Sequence, residues 1–185
     1  LAFGALAGFG LLNKISLLFL GFGLVVGLVV ARRFEAFRSR YFWLGGGLAG
    51  LLFAPHLVWQ RAHGWPTLEF MENASQTKNV ALAPLAFVGK QILQTGPFHA
   101  LVWLAGLAAC LFATRLRPWR SLGIAYFAIL GVMLSTAAKP YYLAPIYPVL
   151  WAAGAVAIEG WTASTARRGG ARSLARWGLG GLVVL

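Results

Sequence analysis

Two lysines stand where an apolar chain can ill spare a charge. Lys14 follows Asn13 and separates the apolar stretch 1–12 from the stretch 15–31. Lys139 opens Lys139-Pro140-Tyr141-Tyr142 inside an otherwise apolar run over 126–158. A charged side chain within a membrane segment costs roughly 3 kcal/mol or more unless it reaches an interface or faces a polar cavity. Proline removes a backbone donor and disfavours helix in the residue before it. A tight turn between two membrane helices at the water boundary meets both demands, with Lys139 directed into a polar pocket. Two uses of these ammonium groups stay open. They grip an anionic ligand, such as the phosphate of a lipid carrier, with Tyr141 and Tyr142 adding hydroxyl donors; or they extend to lipid headgroups.

A second group of polar and aromatic residues follows Pro55. His56 and His63 flank Trp59, Gln60 and Arg61, and Gly64-Trp65-Pro66 ends any helix there. Trp59 and Trp65 offer flat apolar faces on which a sugar ring can stack, and they equally suit an aromatic belt at a membrane interface. Glu69 and Glu72 stand at i and i+3, so they share a helix face. They could serve as an acid–base pair, join His63 around a divalent ion, or be helix-start charges on a solvated loop. His99 suits packing or hydrogen bonding better than catalysis. No phosphate-binding Gly-rich loop, no Gly-x-Ser-x-Gly and no His-Glu-x-x-His occurs, and the chain has no Asp. The lone Cys110 excludes a disulfide framework and a cysteine metal site.

These residues sit in a chain built for lipid. Of 185 residues, 59% are hydrophobic and 11% charged, and the mean hydropathy is +0.74. Soluble domains carry about 25% charged residues. The composition therefore predicts an all-α, multi-pass transmembrane bundle of about five to six membrane helices, one domain over 1–185. The formal net charge of +12 would suggest nucleic acid on a soluble protein. Here the basic residues set topology and touch anionic headgroups, so no nucleic-acid partner is expected. The chain starts within one apolar run and stops within another, which reads as an internal fragment of a longer protein.

The expected spans are 15–31, 41–59, 84–113, 122–138, 143–158 and one that begins at Trp177. The stretch 84–113 is too long for one straight span. Gln91, Gln94, Gly96 and Pro97 mark either a kink or a short interfacial piece ahead of the span. The longest loop, 59–83, should hold a short interfacial helix over 68–74 with Thr67 as its N-cap. The arginine-rich segments 32–40, 115–120 and 167–176 alternate with 59–83 and 138–142. The positive-inside rule puts the arginine segments in the cytoplasm and the others on the periplasmic side of a bacterial inner membrane. Every lysine (Lys14, Lys78, Lys90, Lys139) falls on or near that outer side, with Arg61 the one arginine there.

The order of several short stretches carries a resemblance. Gly10-Leu11-Leu12-Asn13-Lys14, Pro55-His56-Leu57-Val58-Trp59-Gln60, His63-Gly64-Trp65-Pro66-Thr67-Leu68-Glu69-Phe70, Gly96-Pro97 and Lys139-Pro140-Tyr141-Tyr142-Leu143-Ala144-Pro145 follow one another. Across 1–159 this resembles bacterial family 39 glycosyltransferases, relatives of protein O-mannosyltransferases and of the aminoarabinose transferase of lipid A. The resemblance implies a GT-C fold. It implies transfer of a sugar from a polyprenyl-phosphate donor to a glycan, lipid or protein acceptor on the outer face. It also implies that the catalytic acid belongs to a large outer loop ahead of Leu1, so no catalytic residue is expected in this stretch. The family's lysine in an interrupted helix maps to Lys14 and that of a later outer turn to Lys139. Some relatives have His near a metal where this chain has Asn73. The expected substrate contacts are Lys14, Lys139, Tyr141, Tyr142, His56, Arg61, His63, Trp65 and Glu69. The rival reading is a secondary transporter or flippase for a lipid-linked or anionic substrate, for which broken helices would also serve, although no internal repeat is found.

Overall fold

The computed structural model describes residues 1–77, 82–136 and 138–167. Lys78, the expected span from Trp177 and nearly all of the arginine segment 167–176 lie outside the described residues. The described chain is helical and no strand occurs in it. Its helices are α1 (Ala2–Asn13), α2 (Leu17–Val30), α3 (Glu35–Arg38), α4 (Arg40–Ala62), α5 (Pro66–Thr77), α6 (Pro84–Thr95), α7 (Pro97–Phe112), α8 (Arg120–Ser135) and α9 (Tyr147–Arg167). Two 3-10 segments, Thr114–Trp119 and Pro140–Ile146, lead into α8 and α9.

Glycines dictate how these helices pair. Apolar helices in lipid gain little from burial against one another, so close backbone approach through small residues supplies the contact. A Cβ on Gly4 would overlap the Gly45 carbonyl, and one on Gly8 would sit 2.8 Å from Leu52 and 3.1 Å from Ala49. The rising register makes α1 and α4 parallel. A Cβ on Gly27 would overlap the Ser121 carbonyl, and one on Gly23 would sit 2.5 Å from Ile129. That falling register makes α2 and α8 antiparallel. In α7 and α9, a Cβ on Gly106 would strike the Leu150 carbonyl and one on Gly154 the Val102 carbonyl.

These registers gather three chain breaks at one end. The α1–α2 break at Lys14, the C-terminal turns of α4 and the segment after Ser135 lie together, and the arginine segments 32–40 and 115–120 lie at the opposite end. The buried core under the lysine end includes Trp103, Tyr126, Met133, Leu143, Ile146 and Tyr147.

Among the described residues three helices are long and apolar enough to cross a membrane: Arg40–Ala62, Thr114–Ser135 and Pro140–Ser164. A fourth crossing arises if α6 and α7, bent by 115°, count as one. The stretch expected as a span over 15–31 is a 14-residue apolar helix, α2, because residues 14–16 form the turn before it. The run 84–113 takes the form of a separate first helix. Gly96 at φ +83° turns the chain through a region open to glycine, and Pro97 starts α7, where its missing donor costs nothing.

Thr67 is not an N-cap. Helix α5 starts at Pro66 and runs to Thr77, so Thr67 lies inside it. The Lys-Pro-Tyr-Tyr turn is also longer than expected. It opens a 3-10 helix ending at Ile146, because Pro140 and Pro145 each withhold a donor.

Candidate functional site

Lys14 is exposed and extended (φ −150°, ψ 111°), with its own N–H bonded to the Gly10 carbonyl at 2.8 Å. The chain then turns through Ile15 and buried Ser16 into α2. This directs the Lys14 ammonium onto the opening of the other 3-10 segment. Its Nζ lies 4.8 Å from the Tyr141 ring centroid and 5.9 Å from that of Tyr142. The two tyrosine rings meet edge to face at 4.7 Å, and Phe19 of α2 stacks on Tyr142 at 6.2 Å. An ammonium over exposed aromatic faces gains about 0.5–1 kcal/mol. That is enough to orient the side chain and too little to neutralise it.

Lys139, half-buried, precedes the two tyrosines, and its carbonyl accepts from the Tyr142 N–H at 3.1 Å. Neither lysine has a carboxylate partner among the described residues; the ion pair described there is Arg33–Glu35 at 3.1 Å, at the other end. The Lys14 ammonium with Tyr141 and Tyr142 therefore makes a cationic patch rimmed by phenols, suited to an anion carried on an apolar tail.

The end of α4 is built differently. Phe53 and His56 stack at 5.1 Å, His56 and Trp59 at 6.3 Å, and Trp59 and His63 at 4.5 Å, a ladder of rings along one face. His63 Nδ1 pairs with the Trp59 carbonyl at 2.8 Å. The helix closes with Trp65 N–H donating to the Gln60 carbonyl at 2.8 Å and Gly64 N–H to that of Arg61 at 3.5 Å, which is the Schellman arrangement. Gly64 (φ +73°) suits it; Trp65 (φ +62°) does not. A bulky residue held there costs of order 1–3 kcal/mol, and such strain collects at ligand clamps.

Gln60, almost wholly buried, locks the turn. Its Oε1 accepts from the Thr67 N–H at 3.1 Å, and its Nε2 reaches the Thr67 hydroxyl and His56 Nε2. His56 is thus tied into the turn, while Trp59, Arg61, Trp65 and Glu69 are exposed.

The structure therefore brings Lys14, Tyr141 and Tyr142 together beside Lys139, and His56 and His63 together through Trp59. No described contact joins the two sets, which share an end of the bundle through the parallel packing of α1 and α4. His63, Glu69 and Glu72 do not gather: no group of three or more His, Cys, Asp or Glu that could hold a metal ion occurs among the described residues.

A third cluster escaped sequence reasoning. Gln91 of α6 is fully buried. Its Oε1 accepts from the Tyr126 hydroxyl at 2.9 Å and the Tyr147 hydroxyl at 2.7 Å, while its Nε2 has no partner among the described residues. An orphaned buried donor costs about 1–3 kcal/mol. Trp103 packs on both phenols at 5.6 and 5.4 Å and donates its Nε1–H to Thr95 Oγ1, which donates to the Gln91 carbonyl at 2.9 Å. Gln91 had been legible only as a polar break in an apolar run.

No family model, curated protein or solved structure matches this chain. The fold and site define an all-α chain with helices able to cross a membrane and a cationic, phenol-lined patch at one end.

Proposed function

We propose that this chain is part of a bacterial inner-membrane glycosyltransferase of GT-C type. In this reading five to six helices cross the bilayer, the arginine end is cytoplasmic and the lysine end periplasmic. The enzyme moves a sugar from a polyprenyl-phosphate donor to an acceptor: lipid A or lipopolysaccharide, another envelope glycan, or a protein.

The observation that supports it is the position of the Lys14 ammonium over Tyr141 and Tyr142, just after Lys139-Pro140, with no carboxylate paired to either lysine among the described residues. Two unneutralised cations at the end of an apolar bundle suit a lipid-borne phosphate better than a lone snorkelling lysine does. When the glycosidic bond breaks, negative charge builds on the carrier phosphate. Fixed positive charge lowers that barrier. Tyr141 and Tyr142 donate hydroxyls to the phosphate oxygens. Trp59, Trp65 and the exposed Glu69 and Arg61, on the α4–α5 turn at the same end, meet the sugar or acceptor. The acid that activates the acceptor is not assigned to this chain.

The test uses the complete protein in nanodiscs with a polyprenyl-phosphate-linked sugar. Sugar release from the carrier is expected, and Lys139→Ala should cut it at least tenfold, about 1.4 kcal/mol, with an unchanged thermal midpoint. Transfer that survives Lys139→Ala at full rate removes the role of that lysine. Movement of the intact donor across the bilayer without release would favour the transporter or flippase reading, for which the 115° bend at Gly96 is the supporting observation.

A further inference from the structure

We propose that Gln91 is a positioning residue for the Lys139–Tyr142 turn, a role that rests on the reading of that turn as the phosphate site. Outside the helical segments, the backbone bonds around the turn are Thr136 N–H to the Val132 carbonyl at 3.0 Å, Ala138 N–H to the Met133 carbonyl at 3.0 Å and Tyr142 N–H to the Lys139 carbonyl at 3.1 Å. The segment that follows is a 3-10 helix containing two prolines, with poorer hydrogen-bond geometry than an α-helix. Something outside it must fix where it lies.

Gln91 has the required connections. Tyr147 is the first residue of α9, immediately after the 3-10 segment, and Tyr126 belongs to α8, the helix that leads into the turn. Both phenols donate to the same oxygen, at 2.7 and 2.9 Å. One atom therefore sets the spacing of the two helices that carry the turn. Phe87, one helical turn earlier on α6, shares the buried cluster with Leu143 and Ile146 of the 3-10 segment itself. The α6 helix is held in place by the Trp103–Thr95–Gln91 chain across the 115° bend.

The orphaned Nε2 strengthens the argument. A leucine would fill the same space without burying an unpaired donor. An amide here is justified by what its oxygen does for two hydroxyls, each of which has Gln91 Oε1 as its acceptor among the described residues.

The experiment compares wild type, Gln91→Leu and Gln91→Glu in the complete protein in nanodiscs. It reads backbone hydrogen exchange over 138–147 and affinity for a polyprenyl phosphate. In Gln91→Leu, exchange over 138–147 is expected to rise about tenfold while α2 and the middle of α8 stay protected, and polyprenyl-phosphate affinity to fall by a similar factor. Glutamate, which offers an oxygen at the same reach, should restore both. Wild-type exchange in Gln91→Leu overturns the proposal, and so does a rise spread evenly over every helix, which marks a core residue and nothing more. If Gln91→Leu does not fold, Tyr147→Phe, which removes one donor at constant shape, gives the same readouts with the same expected directions. If the wild type binds no polyprenyl phosphate, the phosphate reading fails, and a localised rise in exchange still supports the positioning role.

Discussion

Lys14 and Gln91 are both polar residues in apolar surroundings, and the molecule treats them in opposite ways. Lys14 is set at a break between two helices, exposed, with its charge over tyrosine faces. Gln91 is fully enclosed and carries two hydroxyl donors on its oxygen. The difference follows from desolvation. A buried ion loses far more hydration than a buried amide can, so the charge must stay at a surface while the neutral group can enter the core if its acceptor is used. The exposed residue is available to a ligand; the enclosed one can only act on its neighbours.

Exchanging the two chemistries is the severest way to break this comparison. Gln91→Lys should remove several kcal/mol of stability, since the ammonium would be buried beside two phenols with no anion near it, whereas Lys14→Gln should cost less than about 1 kcal/mol. Thermal midpoints in detergent check both, and equal effects would erase the distinction drawn between the sites.

Smaller changes sharpen it. Tyr126→Phe and Tyr147→Phe should each cost about 1 kcal/mol. Their double variant should cost more than the sum, because either hydroxyl alone still satisfies the shared Gln91 oxygen and only the double variant orphans it; simple additivity would mean the hydroxyls act independently. The smallest effect is expected from Tyr141→Leu. It removes the nearer ring under the Lys14 ammonium and should change stability by no more than about 1 kcal/mol while weakening polyprenyl-phosphate binding. Unchanged binding would leave Tyr141 out of the site.

Much of the architecture was legible because it follows from local rules. The helical class follows from apolar runs interrupted by proline, glycine and charge. The break at Gly96-Pro97 and the stop at Gly64-Trp65-Pro66 could be located from residue type alone, since glycine alone tolerates the one and proline excludes helix before it in the other. Thr67 misled for an equally local reason. Its type suits a cap, but Pro66 already starts the helix, and buried Gln60 claims both the Thr67 hydroxyl and N–H. The span over 15–31 was overestimated because the same apolar letters serve in a helix and in the turn that precedes it.

Taken alone, the sequence determined that the chain is helical and apolar, that its charges divide into arginine and lysine segments, and that Lys14 and Lys139 need a reason. Each of these is set by side-chain type and short-range backbone preference. Only the tertiary structure decided that Lys14 lies over Tyr141 and Tyr142, and that one oxygen of Gln91 joins α6 to α8 and α9. Those contacts depend on helix registers set by the facing pairs Gly4–Gly45, Gly27–Ser121 and Gly106–Gly154. A glycine's partner across a helix pair is a matter of three-dimensional fit, and no local pattern in the chain encodes it.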